Sequence, residues 1–282
     1  MGDTDNRPII VGGSGGSGTR ALAEFLYRNG VDLPRDRTVA NDCRRFTEFL
    51  RQWVEPVLTA IRRVDYRAED LPESLRRPMS DHLTTTLEAM RASLQHEGKP
   101  RWGWKCPRTV FVLPVIAERF PDLVFVHLVR DGRDMLSSKN DNQARRFSGL
   151  LTGLAHEADP AVAIAATWTR VNLGLARYGE AVLGPRYLRL RYEDLCGADG
   201  DARRAVLDRL GLPTRKLNGI FEASSRADAW RREDPRAVAS AHRALAPGLS
   251  AFGYIDAAEA AALEDGADAA GAQPPSRVIS GA

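Results

Sequence analysis

The chain has 282 residues, of which 43 % are apolar and 27 % charged, with a formal net charge of +3. That balance suits a core-forming globular chain and excludes a repeat array or a compositionally disordered protein. Three cysteines (Cys43, Cys106 and Cys196), an odd number without CxxC spacing, exclude a disulfide framework and read as a reducing compartment.

The charge is unevenly placed. The last 27 residues carry five acids (Asp256, Glu259, Glu264, Asp265 and Asp268) against Arg277, leaving −4 on the tail and +7 on the rest. A mildly basic body fits an anionic ligand, but its charge is too scattered to argue for nucleic acid. The polar residues 1–7 precede an apolar run of only residues 8–11, too short for a signal peptide or a membrane span. A soluble, cytoplasmic protein with no membrane partner is expected.

In chain order, residues 8–12 read as a short apolar strand and residues 13–18 as a glycine/serine loop. Residues 19–29 read as an amphipathic helix with Leu22, Phe25 and Leu26 on one face and Gly30 at its end. Helices are expected over residues 46–64 and 80–97, with Pro72 and Pro78 bracketing a loop between them. A strand (101–105), a helix (109–120) and a buried strand (123–129) follow, the last from its run of Leu, Val and Phe. Helices over 131–139, 161–181 and 199–210 and a strand over 187–191 complete the pattern, with Gly211 as a stop. Strands alternating with helices predict an α/β fold with a central parallel sheet. One domain is expected over residues 1–255. An Ala/Gly/Asp-rich tail follows over 256–282, in part a frayed helix and in part disordered.

The segment from Gly12 to Arg20 reads Gly-Gly-Ser-Gly-Gly-Ser-Gly-Thr-Arg. Between a strand and a helix, such a loop holds phosphate through successive backbone N–H groups and the positive end of the helix dipole. Glycine permits positive φ and a close approach, and Ser17 and Thr19 add hydroxyl donors. It is not a Walker A loop. Gly13 and Gly18 have the spacing, but Thr19 stands where lysine belongs and Arg20 where Ser/Thr belongs. Gly13, Gly15 and Gly18 also fit GxGxxG, without an evident acid ending a second strand about 20 residues on.

Three further segments share polar chemistry: Trp104-Lys105-Cys106-Pro107-Arg108; Arg130-Asp131-Gly132-Arg133 running on to Ser138; and Arg191-Tyr192-Glu193-Asp194-Leu195. Arg130 directly follows the buried strand, where a guanidinium fork can clamp phosphate; a salt bridge to Asp131 or Asp134 is the alternative. Lys105 is one of only four lysines, with Lys99, Lys139 and Lys216.

Together these motifs resemble the sulfotransferases that use 3′-phosphoadenosine 5′-phosphosulfate (PAPS), over residues 8–195, most closely the tyrosylprotein and carbohydrate branch. The resemblance implies a P-loop-like three-layer fold and sulfuryl transfer to a hydroxyl of a small molecule, glycan or peptide. It implies that Gly15, Gly16, Ser17, Gly18 and Thr19 hold the 5′-phosphosulfate and that Arg130 and Ser138 hold the 3′-phosphate. Lys105 would face the bridging oxygen of the leaving group, where a lysine can stabilise charge and donate a proton.

The chain departs from the family pattern at Gly16, where Arg or Lys usually precedes the Ser-Gly-Thr triplet; Arg20 is the nearest replacement. The branch's Glu-x-Arg element, which supplies the base, is matched only by Asp42-Cys43-Arg44. This makes Asp42 the candidate base, or else a helix N-cap. Ser225 and Arg231 fall in a late Ser- and Arg-rich segment of the kind that closes over the nucleotide. The five histidines are dispersed without metal spacing, so no metal is expected, and His127 reads as a core histidine. A degenerate P-loop phosphotransferase and a non-catalytic nucleotide-binding relative are the rival readings.

Overall fold

The computed structural model describes residues 7–95, 98–138, 140–221, 230 and 235–264. Strands β1 (Ile9–Gly12), β2 (Val31–Asp32), β3 (Arg101–Lys105), β4 (Val124–Val129) and β5 (Tyr187–Arg191) form one sheet in the order β2-β3-β1-β4-β5. All pairings are parallel. Central β1 aligns Ile10 with Trp104 of β3 on one side and with Phe125 of β4 on the other.

Side-chain alternation divides the core between the two faces of the sheet. Ile10, Trp104 and Phe125 face a cluster built with α2 (Arg44–Ile61), α3 (Glu73–Ala92), α4 (Leu113–Arg119), α6 (Asn142–Thr152) and α7 (Pro160–Tyr178). Ile9, Val11, Val126 and Leu128 face the opposite way, onto α1 (Thr19–Arg28) and α9 (Asp201–Leu210). The fold is thus the expected three-layer, P-loop-like α/β arrangement. Leu22, Phe25 and Leu26 are buried as the spacing predicts, each worth about 1.5–3 kcal/mol of burial. A third cluster joins α5 (Gly132–Leu136), α7, α10 (Pro235–Ala251) and α11 (Ala257–Glu264) around Trp168, Leu245 and Phe252.

Several elements differ from the sequence reading. Helix α3 begins seven residues before the expected residue 80 and encloses Pro78, while Pro72 is its N-cap. A proline at the sixth helical position costs one main-chain bond, the one its missing N–H would have made to the Ser74 carbonyl, and the helix continues through it. The helix expected over 109–120 is a short 3-10 segment (Pro107–Phe111) followed by α4. Helices α6 and α10 and the two-residue β2 were not expected at all. Gly211 does end α9, at φ +63°. Among the described residues, no helix is long and apolar enough to cross a membrane.

Because β3 and β4 flank β1 on opposite sides, the carboxyl ends of the strands open onto the crevice where doubly wound sheets place their ligands. Four of those ends carry the singled-out segments. The glycine loop follows β1, Lys105 ends β3, Arg130 follows β4, and α8 (Tyr192–Leu195) follows β5.

Candidate active site

The glycine loop is a turn closed on itself. Ser17 donates both its backbone N–H (3.2 Å) and its Oγ–H (2.7 Å) to the Ser14 carbonyl. The predicted hydroxyl donor is therefore committed to shaping the loop. Gly16 and Gly18 have φ of +92° and +91°, which a side chain would strain. A Cβ on Gly18 would also lie 2.3 Å from the Tyr192 ring. Gly18 is the N-cap of α1, without a side-chain cap or an acid in the first turn. Among the described residues, the N–H groups of Gly16, Gly18, Thr19 and Arg20 meet no protein acceptor. Unspent donors at a helix N-terminus are suited to holding an anion.

Buried side chains fix this loop from below. Asn172 of α7 donates Nδ2–H to Ser14 Oγ (2.9 Å) and to the Trp168 carbonyl (2.7 Å). Its Oδ1 must then accept, from His127 Nε2–H at 2.9 Å. His127 Nδ1 in turn accepts the Tyr187 hydroxyl proton at 2.6 Å. His127 is fully buried, and desolvation lowers its pKa to about 4, against the Asn172 bond that favours the charged form. It is the core histidine the sequence suggested, in one tautomer that orients Asn172. Gln143 of α6 adds a bond from Nε2 to the Gly13 carbonyl at 3.3 Å.

Arg130 lies beside this cradle, only 8 % exposed. It pairs with Asp134 at 3.0 Å, as the alternative reading anticipated, and its guanidinium stands 5.2 Å from the Tyr192 ring centre. Tyr192 therefore touches Arg130 with its face and backs Gly18 with its edge. Burial pushes the Tyr192 phenol up to about 12, so it is a neutral wall. Trp168 Nε1–H donates to the Arg130 carbonyl at 3.2 Å. Glu193 accepts from the Asp131 N–H at 3.0 Å and from the Tyr254 hydroxyl at 2.8 Å; it pairs structurally, across the chain rather than locally. Arg133 is not a simple surface residue: it binds Asp131 at 2.7 Å and lies 3.9 Å from the Trp230 ring centre.

Ser138 comes to the loop as well. A Cβ at Gly16 would stand 3.0 Å from Ser138 Oγ and 2.8 Å from Met135 Cε. The missing cation thus has a local reason: the backbone is left-handed at Gly16, and α5 and its exit fill the space above it. Arg20 is exposed in the first turn of α1.

On the other flank, Lys105 is 3 % exposed and its Nζ–H donates to Asp42 Oδ1 at 2.7 Å. The N-cap reading of Asp42 fails: the cap of α2 is Cys43, without a side-chain bond. Asp42 instead bridges to β3 at Lys105 through the backbone. A cavity of about 270 Å³ opens there, lined by Gly15, Asp42, Thr47, Cys106, Arg108 and Arg146 among others. Burial pushes the Cys106 thiol up to about 11, which makes it a poor nucleophile.

Two expectations need correction or limitation. An acid does end the second strand: Asp32, buried, accepts the Gln95 N–H at 2.8 Å. It sits on the edge strand, separated from β1 by β3, so it is not the ribose-binding acid of a dinucleotide fold. Ser225 and Arg231 lie outside the described residues. Trp53, Tyr66 and Phe147 are core residues, at 9, 0 and 2 % exposure. Sequence reasoning missed Asn172 and Gln143, both near the loop and without a local signal, and it singled out the segment holding Tyr192 without giving that residue a role.

Fold and site together define a P-loop-like α/β protein with unspent backbone donors in the loop after β1, at the carboxyl edge of the sheet. Matching a family model described as the Sulfotransferase family over residues 8–216, the chain belongs to that family. Its fold is similar to that of the sulfotransferase domain from the curacin biosynthetic pathway (TM-score 0.54, 15 % identity, covering 88 % of this chain and 98 % of that one). It is also similar to the sulfotransferase domain of the Synechococcus PCC 7002 olefin synthase (TM-score 0.51, 17 % identity, covering 90 % and 97 %). No curated protein sequence matches the chain.

Proposed function

We propose that the protein transfers a sulfuryl group from PAPS to a hydroxyl on a small molecule, glycan or peptide. The observation that carries this reading is that Ser138, from the segment after β4, reaches the glycine loop itself, within 3.0 Å of a Cβ position on Gly16. Two phosphate-binding elements thereby meet, as a donor phosphorylated at both its 5′ and 3′ ends requires.

In this assignment the N–H groups of Gly16, Gly18, Thr19 and Arg20 and the Thr19 hydroxyl bind the 5′ end, with Gly15 at the mouth and Ser17 shaping the loop. Arg130 and Ser138 bind the 3′-phosphate, with Tyr192 as the wall that orients Arg130. Arg20 is the remaining cation near the loop, and Ser225 and Arg231 are proposed to contact the same ligand. The donor supplies the sulfuryl group on a phosphate leaving group. Lys105 stabilises the negative charge that builds on the leaving oxygen and can protonate it. Asp42, already in contact with Lys105, is assigned to take the proton of the attacking hydroxyl. Residues 1–255 are proposed as the catalytic unit, with 256–282 as a tail whose first helix, α11, packs against α10 through Ala260.

A thermal-shift comparison tests the reading. Adenosine 3′,5′-bisphosphate in EDTA should stabilise the protein, by about 2.7 kcal/mol at one hundred times its Kd, far more than ATP with Mg²⁺ does. Stabilisation by ATP with Mg²⁺ alone would turn the reading to a phosphotransferase.

A further inference from the structure

The cavity beside Gly15 has a charge that the transfer step does not require. Three arginines line it: Arg51 from α2, Arg146 from the first half of α6, and Arg108 from the 3-10 segment that follows β3. The acid among the described lining residues, Asp42, is held by Lys105. Arg51 has an exposed partner, Glu48, at 2.6 Å. Arg108 and Arg146 have no carboxylate partner among the described residues; the neighbouring Arg145 takes Asp141 instead. Arg108 is half-buried, and its pKa is lowered, first by burial and then by the like charges of Arg146 and Arg51, against the opposing influence of Cys106 and Asp42. The folded chain thus gathers like charges around a cleft and gives two of the three arginines, Arg108 and Arg146, no carboxylate partner among the described residues, which favours an anion arriving from outside.

We infer that this cavity selects an acceptor that carries an oxyanion (carboxylate, phosphate or sulfate) beside the hydroxyl to be modified, held by Arg108 and Arg146 with Arg51 at the rim. The inference rests on the sulfuryl-transfer reading for its reaction, and it names the substrate class. A guanidinium fork matches the paired oxygens of such groups. The cavity's position explains the geometry: an anion on the arginines places the rest of the molecule between Asp42 and Gly15, at the mouth of the cradle. About 270 Å³ accommodates a single sugar or aromatic ring with its charged group.

The test uses matched acceptors on the full chain saturated with adenosine 3′,5′-bisphosphate: 4-hydroxybenzoate against 4-hydroxybenzamide, and glucose 6-phosphate against glucose, each by titration calorimetry. At least one charged member should bind about tenfold or more tightly than its neutral counterpart. Which pair responds distinguishes a carboxylate from a phosphate source. In R108Q/R146Q the preference should fall below about threefold while the bisphosphate Kd stays within about twofold, and R146Q alone, on an exposed residue, should give an intermediate value. Equal binding of charged and neutral members, including no detectable binding of either charged one, overturns the inference. So does a preference that survives the double substitution, or a loss of bisphosphate affinity that would assign the arginines to the donor. Failure of the bisphosphate to bind wild type instead removes the sulfuryl-transfer reading, and the charged-against-neutral comparison on the free protein still decides the selectivity.

Discussion

The two flanks of the glycine loop are built by opposite means. On the Arg130 flank every functional group is held by another: Arg130 by Asp134 and Tyr192, its carbonyl by Trp168, and the loop by Asn172 and His127. On the Lys105 flank one ion pair, Lys105–Asp42, faces a cavity whose arginines are only partly matched. The first flank is suited to an invariant ligand, whose shape a rigid site can anticipate. The second is suited to a ligand that brings its own charge. Preorganisation on one side and electrostatic selection on the other is how a site can hold one fixed donor and discriminate among acceptors.

The strongest way to separate the flanks is Lys105→Ala. It should lower kcat by about 100- to 1,000-fold, the range for losing a group that stabilises transition-state charge, with bisphosphate affinity changed by no more than about threefold. Equal losses in both would make Lys105 a binding residue. Gly18→Ala strikes the shared centre. With φ of +91° and the Tyr192 ring 2.3 Å from the new Cβ, it should cost about 1–3 kcal/mol of stability and weaken bisphosphate binding at least tenfold. Denaturant titration and calorimetry read the two effects separately.

The order in which these features could be read has a physical basis. Strands β1, β3, β4 and β5 and the loop were legible because their apolar runs, glycines and flanking polar residues are local signals. Lys105, Arg130 and Ser138 could be picked out as candidates because they stand at fixed distances from strand ends. Asn172 and Gln143 were not legible: they lie on α7 and α6 and reach the loop only through tertiary packing, across 158 and 130 residues of chain for their bonds to Ser14 and Gly13. Asp42 was found as an acid, but its partner was missed, since the bond to Lys105 spans 63 residues. The start of α3 was misplaced because Pro78 looks like a breaker, whereas the twenty-residue helix absorbs the loss of a single main-chain bond.

A smaller effect sharpens the contrast from the rigid flank. His127 has a folded pKa lowered to about 4 from 6.5, so the unfolded chain binds more protons between those values and stability falls as pH drops through that window. It is fully present above about pH 6.5 and diminished by about 3 kcal/mol at pH 4. Denaturant titrations from pH 7 to 4 should show this slope, and His127→Gln should flatten it; an unchanged slope would remove His127 as its source.

In the proposed function, Arg130 and Ser138 complete a site for a 3′-phosphorylated nucleotide at the glycine loop. The most direct measurement compares the Kd of adenosine 3′,5′-bisphosphate with that of adenosine 5′-phosphate, in EDTA, for wild type and Arg130→Ala. Wild type should prefer the bisphosphate by at least about thirtyfold, on the order of 2 kcal/mol for a charge-assisted phosphate contact, and Arg130→Ala should lose most of that preference. Equal affinities in wild type, or a preference untouched by the substitution, would contradict it.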